Sequence, residues 1–359
     1  MVAQRPIADR ERAAAAPDAE RSEARRSAVM MDVARLAGVS HQTVSRVLND
    51  HPSVRAQTRD RVLDAMRQLD YRPNSAARTL VTRKSQTLGL VGYETTLVGP
   101  ASMLYSIEGA ARRAGYFVSI ASVQSLDTRS VLDAINRLRD QAVEGIIAIV
   151  PQESAVEALA RVPHDIALVG VGLGEASDVP MVGLDNTGGA KLAVNHLLDL
   201  GHERVHHICG PRDWPEANER LAGWREVAGA GTRRAPVALS GDWSARSGYE
   251  AGRKLAADRK VTAVFCANDH MALGALRALA EAGRPVPGDV SVVGFDDIPE
   301  APYLIPPLTT VQQDFGGLGR RSLELLMEQV GTGGRTHRNV RLAPHLVVRN
   351  STAPPRSRS

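Results

Sequence analysis

The chain has 359 residues, a net charge of +4 and two cysteines, and its excess positive charge lies near the N-terminus. Residues 28–84 carry +5, whereas residues 85–359 carry −2. Two isolated cysteines exclude a disulfide framework, and no apolar run is long enough to span a bilayer. The N-terminus lacks the apolar core of a signal peptide, so we expect a cytoplasmic protein without a membrane partner. Residues 1–27 are expected to be a disordered extension.

The first clear pattern covers residues 31–49 and predicts two short helices joined by a tight turn at Gly38. Apolar residues at helical spacing can pack the two helices together: Val33, Ala34, Ala37, Val44, Val47 and Leu48. The outer side of the second helix carries amide, hydroxyl and guanidinium groups, which suit base edges and phosphates: Gln42, Ser45, Arg46 and Asn49. We therefore predict a DNA-reading helix-turn-helix domain over 28–73, with Ser40 capping its second helix.

A third helix is predicted over residues 56–69, with Val62, Met66 and Leu69 inward and Arg59, Arg61 and Arg67 outward. Pro73 ends it. The following segment, Asn74–Val81, has helical propensity but is too short to hold a helix alone in water. We expect residues 74–85 to form a hinge helix and linker that orders against DNA or a second copy of the chain. A plain linker is the alternative.

From Leu88 onward, strand-like and helix-like segments alternate. The strand-like runs are 88–92, 117–121, 145–150, 166–171, 181–184, 205–209, 237–239, 263–266 and 290–295. Such alternation predicts right-handed βαβ units and parallel sheets covered on both faces. Nine strands exceed one comfortable sheet, which favours two doubly wound α/β lobes over residues 86–350. The Ser- and Pro-rich residues 351–359 are expected to be a disordered tail.

Polar residues follow several of these strands, where ligands bind in open parallel sheets. Asn268 and Asp296 follow two buried runs, Trp243 follows a third, and Arg220 lies on the helix after a fourth. An indole face, a guanidinium and nearby carboxylate and amide groups predict a polyol or sugar site. Asn186 and Asp269 also lie at strand ends, but we assign them mainly to helix N-caps.

Two other patterns favour structural roles. Gly170–Gly174 has the wrong spacing for a dinucleotide loop. The group His202, His206, His207 and Cys209 could suggest a metal site, but its position at the start of a strand favours a surface cluster with satisfied hydrogen bonds. No nucleophile with a histidine–acid pair is evident, so we expect no catalysis, metal or cofactor.

Six specific motifs resemble the lactose-repressor/galactose-repressor family, from about residue 29 to residue 351. They are Asp32–Asn49, Tyr71–Asn74, Gly241–Ala245, Ala267–Gly274, Val292–Asp297 and Ile305–Thr310. The resemblance implies a homodimeric transcription factor with a core of the periplasmic sugar-binding type. It would be a ligand-responsive repressor that binds a pseudo-palindromic operator and is released by a small sugar.

The resemblance also implies roles for individual residues. Base reading falls on His41, Gln42 and Arg46, and phosphate positioning falls on Ser40, Thr43, Ser45 and Asn49. In the hinge, Ala77 and Leu80 would contact DNA, with Leu80 wedged into the central base step of the minor groove. Effector contacts fall on Arg220, Trp243, Asn268, Asp296, Gln313 and Phe315.

Several positions depart from the member that gives the family its name. His41 replaces a tyrosine, which predicts a different operator half-site. Ile149 and Val171 replace polar residues, and Tyr93 replaces a small one, so a more apolar cleft is expected. The family's C-terminal tetramerising helix is missing, which favours a dimer. A purine-dependent co-repressor system, a solute-binding protein and an enzyme on a doubly wound sheet are the alternatives.

Overall fold

The chain is described from a computed structural model, which covers residues 28–49, 51–72, 84–93, 97–150, 152–172, 179–230, 234–335 and 338–356. The chain divides into two compact units, one ending at Arg83 and one beginning at Lys84. The expected extension over 1–27 lies outside the described residues, as does most of the expected hinge, including Ala77 and Leu80. No helix among the described residues is long and apolar enough to cross a membrane.

The N-terminal unit contains three helices, α1 (Met30–Ala37), α2 (His41–Leu48) and α3 (Ala56–Gln68). One apolar core joins them and confirms the packing inferred from residue spacing: Val33, Ala34, Ala37, Val44, Val47, Val62 and Ala65 are buried. Gly38 allows the turn between α1 and α2, because its φ of 64° lies in the left-handed region.

Arg59 differs from the expectation that it points outward. Its guanidinium is half-buried and donates to the carbonyl oxygens of Val47 at 3.5 Å and His51 at 3.4 Å. The last carbonyls of a helix lack partners within it and carry partial negative charge. Arg59 therefore stabilises the end of α2, whereas Arg61 and Arg67 remain exposed.

The C-terminal unit consists of two lobes, each built on one sheet. In chain order the elements are β1 (Thr87–Tyr93), α4 (Val98–Arg113), β2 (Phe117–Val123), α5 (Thr128–Asp140), β3 (Gly145–Ile149), α6 (Glu153–Leu159), β4 (Ala167–Val171), β5 (Met181–Leu184), α7 (Asn186–Asp199), β6 (His206–Cys209), α8 (Pro215–Ala228), β7 (Leu239–Ser240), α9 (Ala245–Ala257), β8 (Ala263–Cys266), α10 (Asp269–Glu281), β9 (Ser291–Asp296), a 3₁₀ helix (Ala301–Tyr303), β10 (Thr309–Gln312), α11 (Phe315–Thr332), β11 (Val340–Leu342) and β12 (His345–Val347).

The two sheets confirm the predicted two-lobed architecture. The first has the strand order β11-β5-β4-β3-β1-β2, and the second has the order β12-β10-β9-β8-β6-β7. All pairings are parallel except that of β12 with β10. Each predicted run overlaps one of the strands β1–β9, although β7 begins only at Leu239 and Val237 is exposed. Strands β10–β12 were not predicted, because they are short and partly polar.

Among the described residues, the chain passes between the sheets after β5, after β10 and after β11. Helix N-caps mark the first two passages. Asp185 accepts the Gly188 N–H at 2.8 Å, and Asp314 accepts the Gly317 N–H at 2.7 Å. These passages lie at the carboxyl ends of β5 and β10, so they bring Asn186 and Gln313 to the edge where ligands bind.

The expectation of a disordered tail is wrong for residues 351–356. Ser351 is buried; its hydroxyl accepts the Thr309 N–H at 2.8 Å and donates to the Val292 carbonyl at 2.6 Å. Arg356 forms an ion pair with Asp289 at 3.0 Å. Composition did not reveal this order, because hydrogen bonds with specific partners, rather than apolar burial, hold the segment.

Candidate functional site

Helix α2 presents a polar surface that we name the recognition face: His41, Gln42, Arg46 and Asn49. All four residues are exposed, while Val44 and Val47 on the opposite side are buried. Within the described part of the chain, no hydrogen bond or ion pair engages these four side chains. The predicted base-reading side chains therefore lie together and are available to a partner.

Ser40 and Thr43 form the start of α2. The Ser40 hydroxyl accepts the Thr43 N–H at 3.2 Å and lies 2.9 Å from the Thr43 hydroxyl. Capping of this kind orders the first turn, whose remaining amide groups suit a phosphate. Ser45 is half-buried beside the recognition face. The phosphate contacts of these residues remain predictions.

The C-terminal unit contains a cavity, the interlobe cavity, which lies at the carboxyl ends of the strands and holds about 620 Å³ of empty space, including space open to solvent. Five of the six predicted effector contacts line it: Arg220, Trp243, Asn268, Asp296 and Gln313. Phe315 does not belong to this group, because its ring packs against the apolar core of the first lobe.

Arg220 is the centre of the polar network in this cavity. Its Nε donates to Asn186 Oδ1 at 2.8 Å, and its Nη1 donates to the Ala267 carbonyl at 2.5 Å and lies 3.5 Å from Asp296 Oδ1. Gln313 donates to the same Asp296 oxygen at 2.7 Å. Burial raises the pKa of the Asp296 carboxyl, while Arg220 and Gln313 oppose that rise. The network therefore connects α8, β9 and the two chain segments that cross between the lobes, one after β5 and one after β10.

In the structure, each of the two helix N-caps lies one residue before the predicted position. Asp185 caps α7, and Asn268 caps α10 by accepting the Met271 N–H at 2.9 Å. Asn186 instead contacts Arg220, and Asp269 accepts the Thr310 hydroxyl at 2.6 Å. Burial raises the pKa of Asp269 to about 8. A cap requires an extended backbone just before the helix, which sequence locates only to within a residue or two.

Trp243 has an uncommon backbone conformation for a bulky residue, with φ at 72°. Its carbonyl accepts the Asn268 side chain at 3.0 Å, and its buried indole Nε1 has no hydrogen-bond acceptor among the described residues. Gly210 provides room for the ring, because a Cβ there would lie 2.4 Å from the indole. Trp243 thus lines the cavity and keeps a buried indole donor that is unused among the described residues.

The sequence analysis also missed an aromatic and an acidic residue of the cavity, Trp214 and Glu216. The Trp214 ring meets Trp243 edge-on, with centroids 6.0 Å apart and an interplanar angle of 78°. Glu216 lies one helical turn before Arg220 on α8, a spacing that could have revealed their shared face.

The apolar wall of the cavity differs from the one expected. Leu97, Val98, Pro100 and Met103, at and near the start of α4, provide much of it. Tyr93 and Ile149 line a neighbouring cavity, which shares Pro100, and Val171 is buried in the core of the first lobe. Tyr93, Ile149 and Val171, the three departures from the family pattern, therefore do not line this cavity.

The histidine group near β6 is largely buried rather than on the surface. His202 lies 3.0 Å from the hydroxyls of Thr262 and Ser291, and His207 stacks on Trp224 and Phe265. Burial lowers the pKa of His207 to about 3. No group of three potential metal ligands is found among the described residues. These histidine rings therefore have a structural role inside the second lobe.

Because Glu216 is buried, we predict that the free energy of unfolding depends measurably on pH. Burial raises the pKa of its carboxyl from 4.5 to about 7, so its contribution to stability is lost as the pH rises through this interval. Glu216→Gln should therefore be more stable than the parent protein by about 1–3 kcal/mol at pH 8, with little difference at pH 5. Urea unfolding followed by tryptophan fluorescence measures this. The exposed Glu328→Gln is the control, and an equal gain at both pH values would contradict the assignment.

Comparisons with known proteins agree with this geometry. Residues 29–74 match the family model for bacterial regulatory proteins of the lacI family, and residues 194–352 match that for a periplasmic binding protein-like domain. The chain is 34% identical over 335 residues to the lactose operon repressor of Escherichia coli K12, with 92% of each chain covered. It is 31% identical over 334 residues to the HTH-type transcriptional repressor PurR of Haemophilus influenzae PittEE, covering 90% of this chain and 98% of PurR.

Solved structures show the same architecture. The lac repressor dimer bound to operator and the anti-inducer ONPF matches with a TM-score of 0.79 and 32% identity, covering 91% of this chain and 100% of that one. The complex of the transcriptional regulator CelR with cellobiose matches with a TM-score of 0.65 and 32% identity, covering 90% and 99%. A helical DNA-binding region followed by a two-lobed α/β core is common to this chain and the lac repressor. On this evidence the chain belongs to the lacI family of bacterial regulatory proteins.

Proposed function

We propose that this protein is a transcriptional repressor that binds a pseudo-palindromic operator as a dimer and is released by a small sugar effector. The observation that carries the proposal is the presence, in one chain, of an available recognition face and of a cavity containing the Arg220–Asp296–Gln313 network. The first suits DNA and the second suits a polar metabolite, so the two sites together fit a ligand-controlled regulator.

On the DNA side, His41, Gln42 and Arg46 would read base edges in the major groove. Ser40, Thr43, Ser45 and Asn49 would position the helix on phosphates. The net charge of +5 over residues 28–84 supports this assignment, because phosphate neutralisation provides much of the affinity for DNA. The minor-groove roles of Ala77 and Leu80 remain predictions from the sequence.

On the effector side, the ligand would act by favouring one arrangement of the two lobes. First-lobe residues Leu97 and Val98 already pack against the core of the second lobe, and Arg341 of β11 reaches Glu219 of α8 at 2.9 Å. A ligand between the lobes would add contacts that exist in only one arrangement. Such coupling changes DNA affinity by about 1–3 kcal/mol and is reciprocal.

Exposed apolar residues on the first lobe support the proposed homodimer. Tyr105 on α4 and Phe117 and Ile120 on the edge strand β2 are 75%, 72% and 47% exposed. Exposed apolar side chains on an edge strand and on a neighbouring helix are typical of a surface covered by another chain. Dimerisation would also place two recognition helices on the two half-sites of an operator.

We further propose that the protein is not an enzyme and acts in the cytoplasm, where the DNA is. Among the described residues, the cavity carboxylate of Asp296 is already engaged by Arg220 and Gln313. This arrangement suits the orientation of hydroxyl groups better than proton transfer or nucleophilic attack. A purine is the second candidate effector, because Trp243 could stack on a base.

The decisive experiment is a selection of genomic fragments by the full-length protein at physiological salt. We expect a few fragments to be retained against random competitor DNA, and retention to fall when the effector is added. Neutral sugars and purines are tested in separate arms, and release by a sugar supports the main proposal. Absence of any sequence preference, with or without these compounds, would refute it.

A further inference from the structure

We propose that the effector carries a protonated amino group on a sugar-like ring, and that Glu216 is the residue that selects it. This inference rests on the proposed function, because it names the chemistry of the ligand in the interlobe cavity. It goes beyond the expected sugar class in requiring a positive charge at one defined side of the cavity.

Glu216 is an incompletely paired acid in the wall of the cavity. The residue is 8% exposed, and its buried Oε2 has no hydrogen-bond donor among the described residues. A buried carboxylate oxygen without a donor is costly, and native proteins rarely keep one without a purpose. Because the residue lines the cavity, a ligand can provide the missing donor.

The charges around the cavity favour a cationic donor over a neutral hydroxyl. Within the described residues, Glu216 forms no ion pair, and the nearby Arg220 lies 3.5 Å from Asp296 instead. The cavity wall thus holds two carboxyl groups and one guanidinium. Burial raises the pKa of Glu216 to about 7, even though the charge of Arg220 opposes that rise. An ammonium group would both donate to Oε2 and balance the charge.

The aromatic residues of the cavity fit the same ligand. Trp214 and Trp243 meet at 78° and form an aromatic corner, while the Nε1 of Trp243 retains a free donor among the described residues. Indole faces attract cations and also stack on the C–H face of a sugar ring. The donor can serve a ring hydroxyl. One ring could therefore use the indole, while its amino group reaches Glu216.

The test compares matched ligands on the full-length protein by titration calorimetry at pH 7.0. The pairs are D-glucosamine with D-glucose and D-galactosamine with D-galactose, together with the N-acetyl derivatives, which lack the charge. We expect at least one amino sugar to bind about tenfold or more tightly than its parent and its N-acetyl form. If no amino sugar is preferred, the inference is overturned without any need for a variant.

Glu216→Gln then tests the residue, because it keeps the size and removes the charge. It should abolish the preference for the amine, whereas Glu219→Gln should keep it. Glu219 lies on the same helix but pairs with Arg341 and does not line the cavity. An amine preference that survives in Glu216→Gln would also overturn the inference. Fragment selection on the same preparations separates the two proposals: normal DNA selectivity without amine preference refutes only this one.

Discussion

Replacement of Arg220 by alanine is expected to abolish the response to the effector and to lower the free energy of unfolding by about 3–5 kcal/mol. The guanidinium is buried between Asn186, the Ala267 carbonyl and Asp296, and it stacks 3.9 Å from the centroid of the Phe295 ring. Removing it leaves a buried carboxylate without its cation and an amide oxygen without its donor. The loss of a single partner from such a network costs more than the net contribution of the pair.

Urea unfolding and calorimetric titration with the effector measure the two parts of this effect. Arg225→Ala is the matched control, because Arg225 is on the same helix but is exposed. The control should retain the stability and the effector affinity of the parent protein. If Arg220→Ala has the stability of the control, the network does not have the structural role described here. If it still responds to the effector, Arg220 is not a ligand contact.

Replacement of Arg46 by alanine is expected to weaken operator binding by about 1–3 kcal/mol and to relax specificity at one base pair. Arg46 lies on the exposed side of α2, opposite the buried Val44 and Val47, so its removal does not disturb the core of the N-terminal unit. A guanidinium in the major groove reads guanine through two hydrogen bonds, which explains an effect that depends on base identity.

Competition binding with single-base variants of the selected operator measures both affinity and specificity. Arg67→Ala is the control, because Arg67 lies on α3 and already pairs with Asp64. It should change affinity little and leave the base preferences intact. A uniform loss across all operator variants in Arg46→Ala would instead identify a phosphate contact, and the base-reading assignment would be wrong.

The helix-turn-helix could be predicted from sequence because its determinants are local. Val44 and Val47 define the buried side of α2, and the 3.6-residue period then places Gln42 and Arg46 on the other side. Alternation of strands and helices likewise determined the two-lobed core, since parallel strands require helical crossovers. Arg220, Trp243, Asn268 and Asp296 could be selected as candidates, because ligands bind beyond the carboxyl ends of strands.

Only the tertiary structure decided which polar side chains face one another across the cavity. Gln313 was inferred from family resemblance alone, and Trp214 was not selected at all, because the role of each depends on segments distant in the chain. The same holds for Ser351, whose order comes from hydrogen bonds to β9 and β10 rather than from its own neighbourhood. Periodic patterns record which side of an element is buried, whereas partners distant in sequence are chosen by packing, which no local pattern records.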